Sequence, residues 1–75
     1  MNTYRVDRSK ETVSPPCGMS SVRYLGDNLE EALEVFHHTK GGMDAWDVPN
    51  ENYGVMLSIW DQGREEYVRK VWKSK

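Results

Sequence analysis

Residues 28–42 read NLEEALEVFHHTKGG, and this stretch decides the fold because it carries a clear helical period. Its apolar residues follow the i, i+3, i+4, i+7 spacing that places them on one side of a helix: Leu29, Ala32, Leu33 and Phe36. One amphipathic helix of this length cannot bury its own stripe, so the rest of the chain must supply the layer against which it packs.

Signals at both ends of this stretch predict where the helix begins and ends. Asn28 is a favoured N-cap residue, and Glu31 stands at the capping-box position three residues later. Acidic residues dominate the first half, whereas His37, His38 and Lys40 lie near the end, as the helix dipole favours. The Gly41-Gly42 pair predicts a left-handed stop. The helix is therefore expected from about Leu29 to Thr39.

The flanking segments predict strands. Residues 3–8 and 20–25 precede the helix and are separated by a turn at Ser14-Pro15-Pro16-Cys17-Gly18, while residues 53–60 and 66–72 follow it. The expected fold is a single α+β domain in the order β-β-α-β-β. An antiparallel sheet of three or four strands would be covered on one face by the helix.

The register of the last hairpin depends on its turn. A three-residue turn over residues 61–63, with Gly63 in the left-handed region, places Tyr67 and Val71 on the core face with Val55 and Leu57. A shift of one residue would place Val68 and Trp72 there instead, because side chains alternate along a strand.

Length and composition narrow the class of protein. A chain of 75 residues with net charge −2 forms one small domain, and the single Cys17 excludes an internal disulfide and favours a cytoplasmic location. No apolar run is long enough to span a membrane. Residues 9–19 would form a mobile loop if they are not turn and strand, and residues 73–75 are expected to fray.

The residue types that carry chemistry do not form a recognisable reactive set. His37 and His38 are adjacent and point about 100° apart on a helix, so they do not chelate one ion together. A nucleophilic pair of Cys17 with a histidine is also not expected, because Cys17 follows two prolines and no oxyanion hole is predicted beside it. We therefore expect no catalytic residue, no metal and no cofactor, and the protein is predicted not to be an enzyme.

Charge is unevenly distributed along the chain. Residues 27–63 contain eight acidic side chains and one basic side chain, a net charge of −7. This pattern, together with the tryptophans, predicts a partner-binding surface for a protein with a basic face. Its expected residues are Glu30, Glu31, Glu34, Asp44, Trp46, Asp47 and Trp60. A homodimer through the open sheet face or an edge strand would cover exposed aromatic area.

The basic end of the chain supports an alternative function. A small nucleic-acid-binding protein would use the last strand, with basic side chains on phosphates and an indole ring on the bases. The residues for this alternative are Arg64, Arg69, Lys70, Trp72 and Lys73. The net negative charge and the pI of about 5.6 favour the protein-binding hypothesis.

The helix pattern NLEEALEVF over residues 28–36, followed by YGVMLSIWD over residues 53–61, resembles small accessory proteins of bacteriophages and mobile elements. The resemblance covers roughly residues 22–72. It implies a compact protein, located in the host cytoplasm, that inhibits or modulates a host enzyme or defence complex by binding to it.

Overall fold

The computed structural model describes residues 2–10 and 21–73, apart from the side chains of Arg69 and Lys70. Its elements are β1 (Thr3–Lys10), β2 (Val22–Gly26), α1 (Leu29–His38), β3 (Tyr53–Asp61) and β4 (Glu66–Lys73). The strands form one antiparallel sheet in the order β2-β1-β3-β4, and α1 packs against β1, β2 and β3. The predicted single α+β domain of order β-β-α-β-β is confirmed.

The strands are longer than predicted at two places. Ser9 and Lys10 belong to β1, where they pair with Gly54 and Tyr53 of β3, so the predicted loop at residues 9–19 does not begin at Ser9. Lys73 is the last residue of β4, so the strand extends one residue into the segment that is expected to fray. The proline turn at residues 14–18 and the tail at residues 74–75 lie outside the described residues.

The core lies between α1 and one face of the sheet, which we call the helix-side face. It consists of the buried side chains of Val6, Ala32, Phe36, Val55 and Leu57, with Tyr4, Tyr24, Leu33 and Val35 packed around them. Leu29 is 43 % exposed, so the predicted helix stripe is buried only from Ala32 onward.

The helix begins at its predicted cap, with help from a tyrosine. The Asn28 side chain accepts a hydrogen bond from the Glu31 N–H at 3.2 Å. The Tyr24 hydroxyl accepts from the Asn28 N–H at 3.3 Å and lies 3.3 Å from a Glu31 carboxylate oxygen, to which it donates. Tyr24 thus satisfies the donor that a capping-box glutamate would otherwise take, and it links β2 to the start of α1.

The predicted glycine stop of the helix is wrong. The helix ends at His38, and Thr39 adopts an extended conformation while its N–H and hydroxyl both donate to the Val35 carbonyl, at 2.9 and 2.6 Å. Gly42 has a φ of 74°, but it serves the following turn, where its N–H donates to the Tyr53 carbonyl. The Thr39 hydroxyl therefore provides a hydrogen-bond donor to a carbonyl of the last helical turn, and the helix ends before the two glycines.

The predicted register of the last hairpin is correct for Val71 and wrong for Tyr67. Val71 faces Leu57, but β4 contains a bulge at Lys70, after which Val68 faces Ile59 and Tyr67 faces Trp60. One extra residue in a strand reverses the alternation beyond it, so Val68 and Val71 both lie on the helix-side face. Tyr67 lies on the opposite face, which we call the far face.

The turn between β3 and β4 also differs from the prediction. Asp61 pairs with Glu66, so the connection has four residues. Its left-handed residue is Glu65, with a φ of 54°, and not Gly63. The Asp61 carboxylate accepts from the N–H groups of Gly63 and Arg64 at 2.9 and 3.3 Å, which stabilises the turn without a left-handed glycine.

Candidate functional site

The large hydrophobic side chain with the greatest exposure among the described residues is Trp46, which is 77 % exposed. It lies in the connection between α1 and β3, and Val48 beside it is 55 % exposed. A large aromatic side chain on an exposed loop either has no role in binding or serves as an anchor for a partner. The conformation of its loop distinguishes the two cases.

Backbone hydrogen bonds and one carboxylate hold this loop, residues 43–50, in a closed turn. Met43 and Pro49 form an isolated bridge at its base. Oδ1 of Asp44 accepts from the N–H groups of Trp46 and Val48 at 2.9 and 3.0 Å, and the Asp44 N–H donates to the Val48 carbonyl at 2.9 Å. The Asp44 carboxylate therefore organises the turn that presents Trp46.

Two arginines attach the loop to the sheet. Arg8 of β1 forms an ion pair with Asp47, and Nη2 of Arg23 on β2 lies 3.5 Å from the same carboxylate. Nη2 of Arg23 also donates to the Ala45 carbonyl at 3.0 Å. Asp47 has a φ of 63°, in the left-handed region that aspartate tolerates better than most residues, and these contacts help to hold it there. Burial, reinforced by the nearby charge of Arg23, lowers the pKa of Arg8.

The helix contributes an acidic flank of three glutamates. Glu30, Glu31 and Glu34 are all exposed on α1. A groove of about 360 Å³ lies between α1 and β2, and it is lined by Tyr24, Glu31, Glu34, Val35 and His38. Because Arg23 holds the Trp46 loop and the next residue, Tyr24, lines the groove, the loop and the groove both adjoin the same edge strand.

Only part of the predicted partner-binding set is brought together. Glu30, Glu31 and Glu34 lie together on α1, whereas Trp46, Asp44 and Asp47 lie together in the loop of residues 43–50. The charges of these two aspartates are engaged by N–H groups and by arginines. Trp60 lies on the far face, where its ring centroid is 5.1 Å from that of Tyr67 in an edge-to-face contact. It therefore does not join the acidic flank.

The residues of the nucleic-acid alternative have separate structural roles. Nζ of Lys73 donates to the His37 carbonyl at 3.1 Å and lies 5.1 Å from the Phe36 ring centroid. Trp72 is half-buried and lies over Gly54. Arg64 is exposed in the β3–β4 turn, 3.9 Å from Asp61 and 4.0 Å from Glu66. The side chains of Arg69 and Lys70 are outside the described part of the structure.

The residues considered for metal or nucleophilic chemistry are scattered. His37 and His38 are exposed at the end of α1, and Cys17 lies outside the described residues. Over residues 2–10 and 21–73, no three histidine or carboxylate side chains are close enough to hold a metal ion. Within the same ranges, no helix is both long and apolar enough to cross a membrane.

Four residues of this region carry roles that the sequence did not reveal: Arg8, Arg23, Tyr24 and Val35. The alternation of β1 and β2 marks Arg8 and Arg23 only as polar strand positions, and Val35 lies outside the predicted helix stripe. Their roles arise from contacts between residues distant in sequence, which no local pattern encodes.

Comparison with known proteins found no match to any protein-family model, curated protein or solved structure.

Proposed function

We propose that this protein is a non-enzymatic protein-binding module that anchors its partner on Trp46 and attracts it with the acidic flank of α1. The partner would be a protein with a basic surface. An inhibitor or modulator of a host protein, acting in the cytoplasm, is the role that agrees with the resemblance to phage accessory proteins.

The observation that carries this proposal is the conformation of the loop that presents Trp46. An indole that is 77 % exposed offers about 4 kcal/mol of gross hydrophobic stabilisation when a partner buries it. The hydrogen bonds of Asp44 and the ion pairs of Asp47 already order the backbone around it. Binding would therefore require little further loss of backbone entropy, which is the condition that makes an exposed anchor effective.

The acidic flank supports the proposal through long-range attraction. Glu30, Glu31 and Glu34 are exposed on one short helix, where their fields add and extend over about a Debye length of 8 Å at physiological salt. A field of this kind accelerates encounter with a basic surface and orients the partner, while contributing less to the lifetime of the complex.

Replacing Trp46 by alanine is expected to weaken binding of the partner by about 30-fold or more, because an anchor residue contributes about 2 kcal/mol or more. The partner would be captured from a bacterial lysate with the tagged protein, then purified for measurement of Kd. Val68→Ala removes an exposed apolar side chain on the opposite edge strand and serves as the control. Equal binding by the Trp46→Ala and wild-type proteins would contradict the proposal.

Reversing charge at Glu30 and Glu34 to lysine is expected to slow association by about tenfold at low salt, and the difference should shrink as salt is added. The matched control reverses Glu51 and Glu65, which are exposed elsewhere and change the net charge equally. Stopped-flow association with the captured partner measures both rates. If the two double variants associate at the same rate, net charge rather than the acidic flank controls encounter.

A further inference from the structure

We infer that the groove between α1 and β2 is a receptor for an arginine side chain of the partner protein. This inference rests on the proposed function, because it names the chemical group that the binding module would recognise. It is carried by three features of the groove, which are its apolar lining, its acidic rim and the fixed position of its aromatic ring.

The apolar lining comes from Tyr24 and Val35. The Tyr24 ring lies over Gly26, where an added Cβ would be 2.6 Å from the tyrosine oxygen, so the ring position depends on the absence of a side chain there. At its other end the tyrosine hydroxyl bonds to Asn28, at the beginning of α1. The aromatic face is therefore held in place by the strand and by the helix terminus before any ligand arrives.

The rim of the groove is acidic. Glu31 and Glu34 are three residues apart on α1, so both carboxylates lie along the same side of the groove. Within the described ranges neither carboxylate forms an ion pair with a lysine or arginine, and no basic residue other than His38 lines the groove. Glu31 accepts one hydrogen bond, from the Tyr24 hydroxyl, and its other oxygen together with the Glu34 carboxylate can accept from a cation outside.

Arginine fits this combination better than other side chains. Its aliphatic stem can lie on Val35, its planar guanidinium can stack on the Tyr24 ring, and its N–H groups can donate to Glu31 and Glu34. A lysine would satisfy the charge but not the planar contact. The groove of about 360 Å³ is open along one side, so it can admit a side chain that projects from a folded partner surface.

The test uses a capped pentapeptide with arginine at its centre and alanine elsewhere, titrated into the isotope-labelled protein and followed by NMR. Saturable shifts are expected at Tyr24, Glu34, Val35 and His38 at millimolar peptide. The same peptide with citrulline, which keeps the shape and removes the charge, should bind about fivefold more weakly or worse, because the charge-assisted hydrogen bonds are lost. A lysine peptide should fall between the two.

Matched helix variants locate the effect. Glu34→Gln and Glu31→Gln should each weaken binding of the arginine peptide by about three- to fivefold, as expected for a partly exposed ion pair. Glu30→Gln removes the same charge from the same helix but does not line the groove, so its effect should be much smaller. Equal weakening by all three variants, equal binding of citrulline, or the absence of saturable shifts would overturn the inference.

A second copy of this chain is the other occupant to be tested. Arg64 lies on the exposed β3–β4 turn, and its side chain is 69 % exposed. Sedimentation at increasing protein concentration, for the wild type and for Arg64→Ala, measures self-association through this residue. If the protein self-associates and Arg64→Ala abolishes this association, the groove binds a second copy of the chain. That result would overturn the assignment of the groove to an arginine of a different protein.

The failure of this inference can be told apart from the failure of the proposed function. Trp46→Ala should leave the peptide titration unchanged, because the loop does not line the groove. If partner capture depends on Trp46 while the peptide does not bind, the binding module stands and its arginine receptor is wrong. If the peptide binds but capture is insensitive to Trp46 and to the acidic flank, the proposed function is wrong.

Discussion

Replacing Asp7 by alanine is expected to lower the free energy of unfolding by about 3–5 kcal/mol, a large part of the stability of a domain of this size. Asp7 is fully buried on the far face, and both of its carboxylate oxygens accept from Nε of Arg5, at 2.9 and 3.0 Å. The Ser21 hydroxyl donates to the same carboxylate at 3.0 Å. Because the Arg5 side chain is only 11 % exposed, the variant removes the Asp7 carboxylate from a guanidinium in a poorly solvated position.

A double variant separates the cost of an uncompensated charge from the value of the pair. Arg5→Met combined with Asp7→Leu removes both charges and retains apolar volume, so it should recover most of the stability that Asp7→Ala loses. Urea unfolding of the three proteins provides the comparison. If the double variant is as unstable as Asp7→Ala, the effect arises from the shape of the site and not from the loss of the carboxylate beside Arg5.

The same carboxylate predicts how stability depends on pH. Burial raises the pKa of Asp7 above its ordinary value, an effect that the hydrogen bond and the charge of Arg5 offset only in part. As the pH rises, Asp7 therefore loses its proton in the unfolded chain, from about pH 4 upward, before it does so in the folded protein. Below that pH, the contribution of Asp7 to the free energy of unfolding is at its maximum. It falls as the pH rises through the pKa that Asp7 has in the folded protein.

Asp7→Asn lacks this titration, so its unfolding free energy should decline less than that of the wild type as the pH rises above about 4. Unfolding curves for both proteins over the mildly acidic range measure the difference. Parallel curves would show that Asp7 has the same pKa in the folded and unfolded chains.

Gly54→Ala is expected to destabilise the protein by about 3 kcal/mol, because the new methyl group has no room. Gly54 is buried at the second position of β3, and an added Cβ would collide with the Lys73 carbonyl oxygen of β4. It would also lie 2.5 Å from Cζ2 of Trp72, whose ring covers the glycine. Relief requires the backbone of β4 to move away, which would disturb pairing along the hairpin.

Gly63→Ala is the matched control for this substitution. Gly63 is exposed, and an added Cβ would lie 3.3 Å from the Asp61 carboxylate, which belongs to a side chain that can move. Its backbone is not in the left-handed region, so alanine should change stability by about 0.5 kcal/mol or less. Similar losses for both variants would indicate that backbone entropy, and not the contact with β4, determines the effect.

The features of the candidate site that depend on composition could be predicted from the sequence. Those that depend on contacts between residues distant in sequence could not. Acidic helix residues and an exposed tryptophan follow from charge distribution and from the shortage of core volume in 75 residues. The structural roles of Asp44 and Asp47 were not visible, because a carboxylate in a loop has the same sequence signature whether it faces solvent or an arginine. Trp60 belongs to the predicted partner-binding set but lies beside Tyr67 on the far face, away from the acidic helix residues, because strand pairing sets its neighbours.

Local physics alone determined the helix and the order of elements. Asn28, the apolar spacing and the acidic first turn act within a few residues of one another, so they can be evaluated without the rest of the chain. The alternation of β3 likewise indicates a strand wherever it lies in the sheet.

Tertiary structure alone decided the register of β4, the burial of Asp7 and the position of Trp46. The bulge at Lys70 is a shift in the pairing of β4 with β3, so the sequence of one strand does not specify it. The alternation of β1 predicts Asp7 as an exposed polar residue, whereas in the structure it is buried and bonded to Arg5. Such features depend on which distant groups meet in space, and that information exists only once the chain has folded.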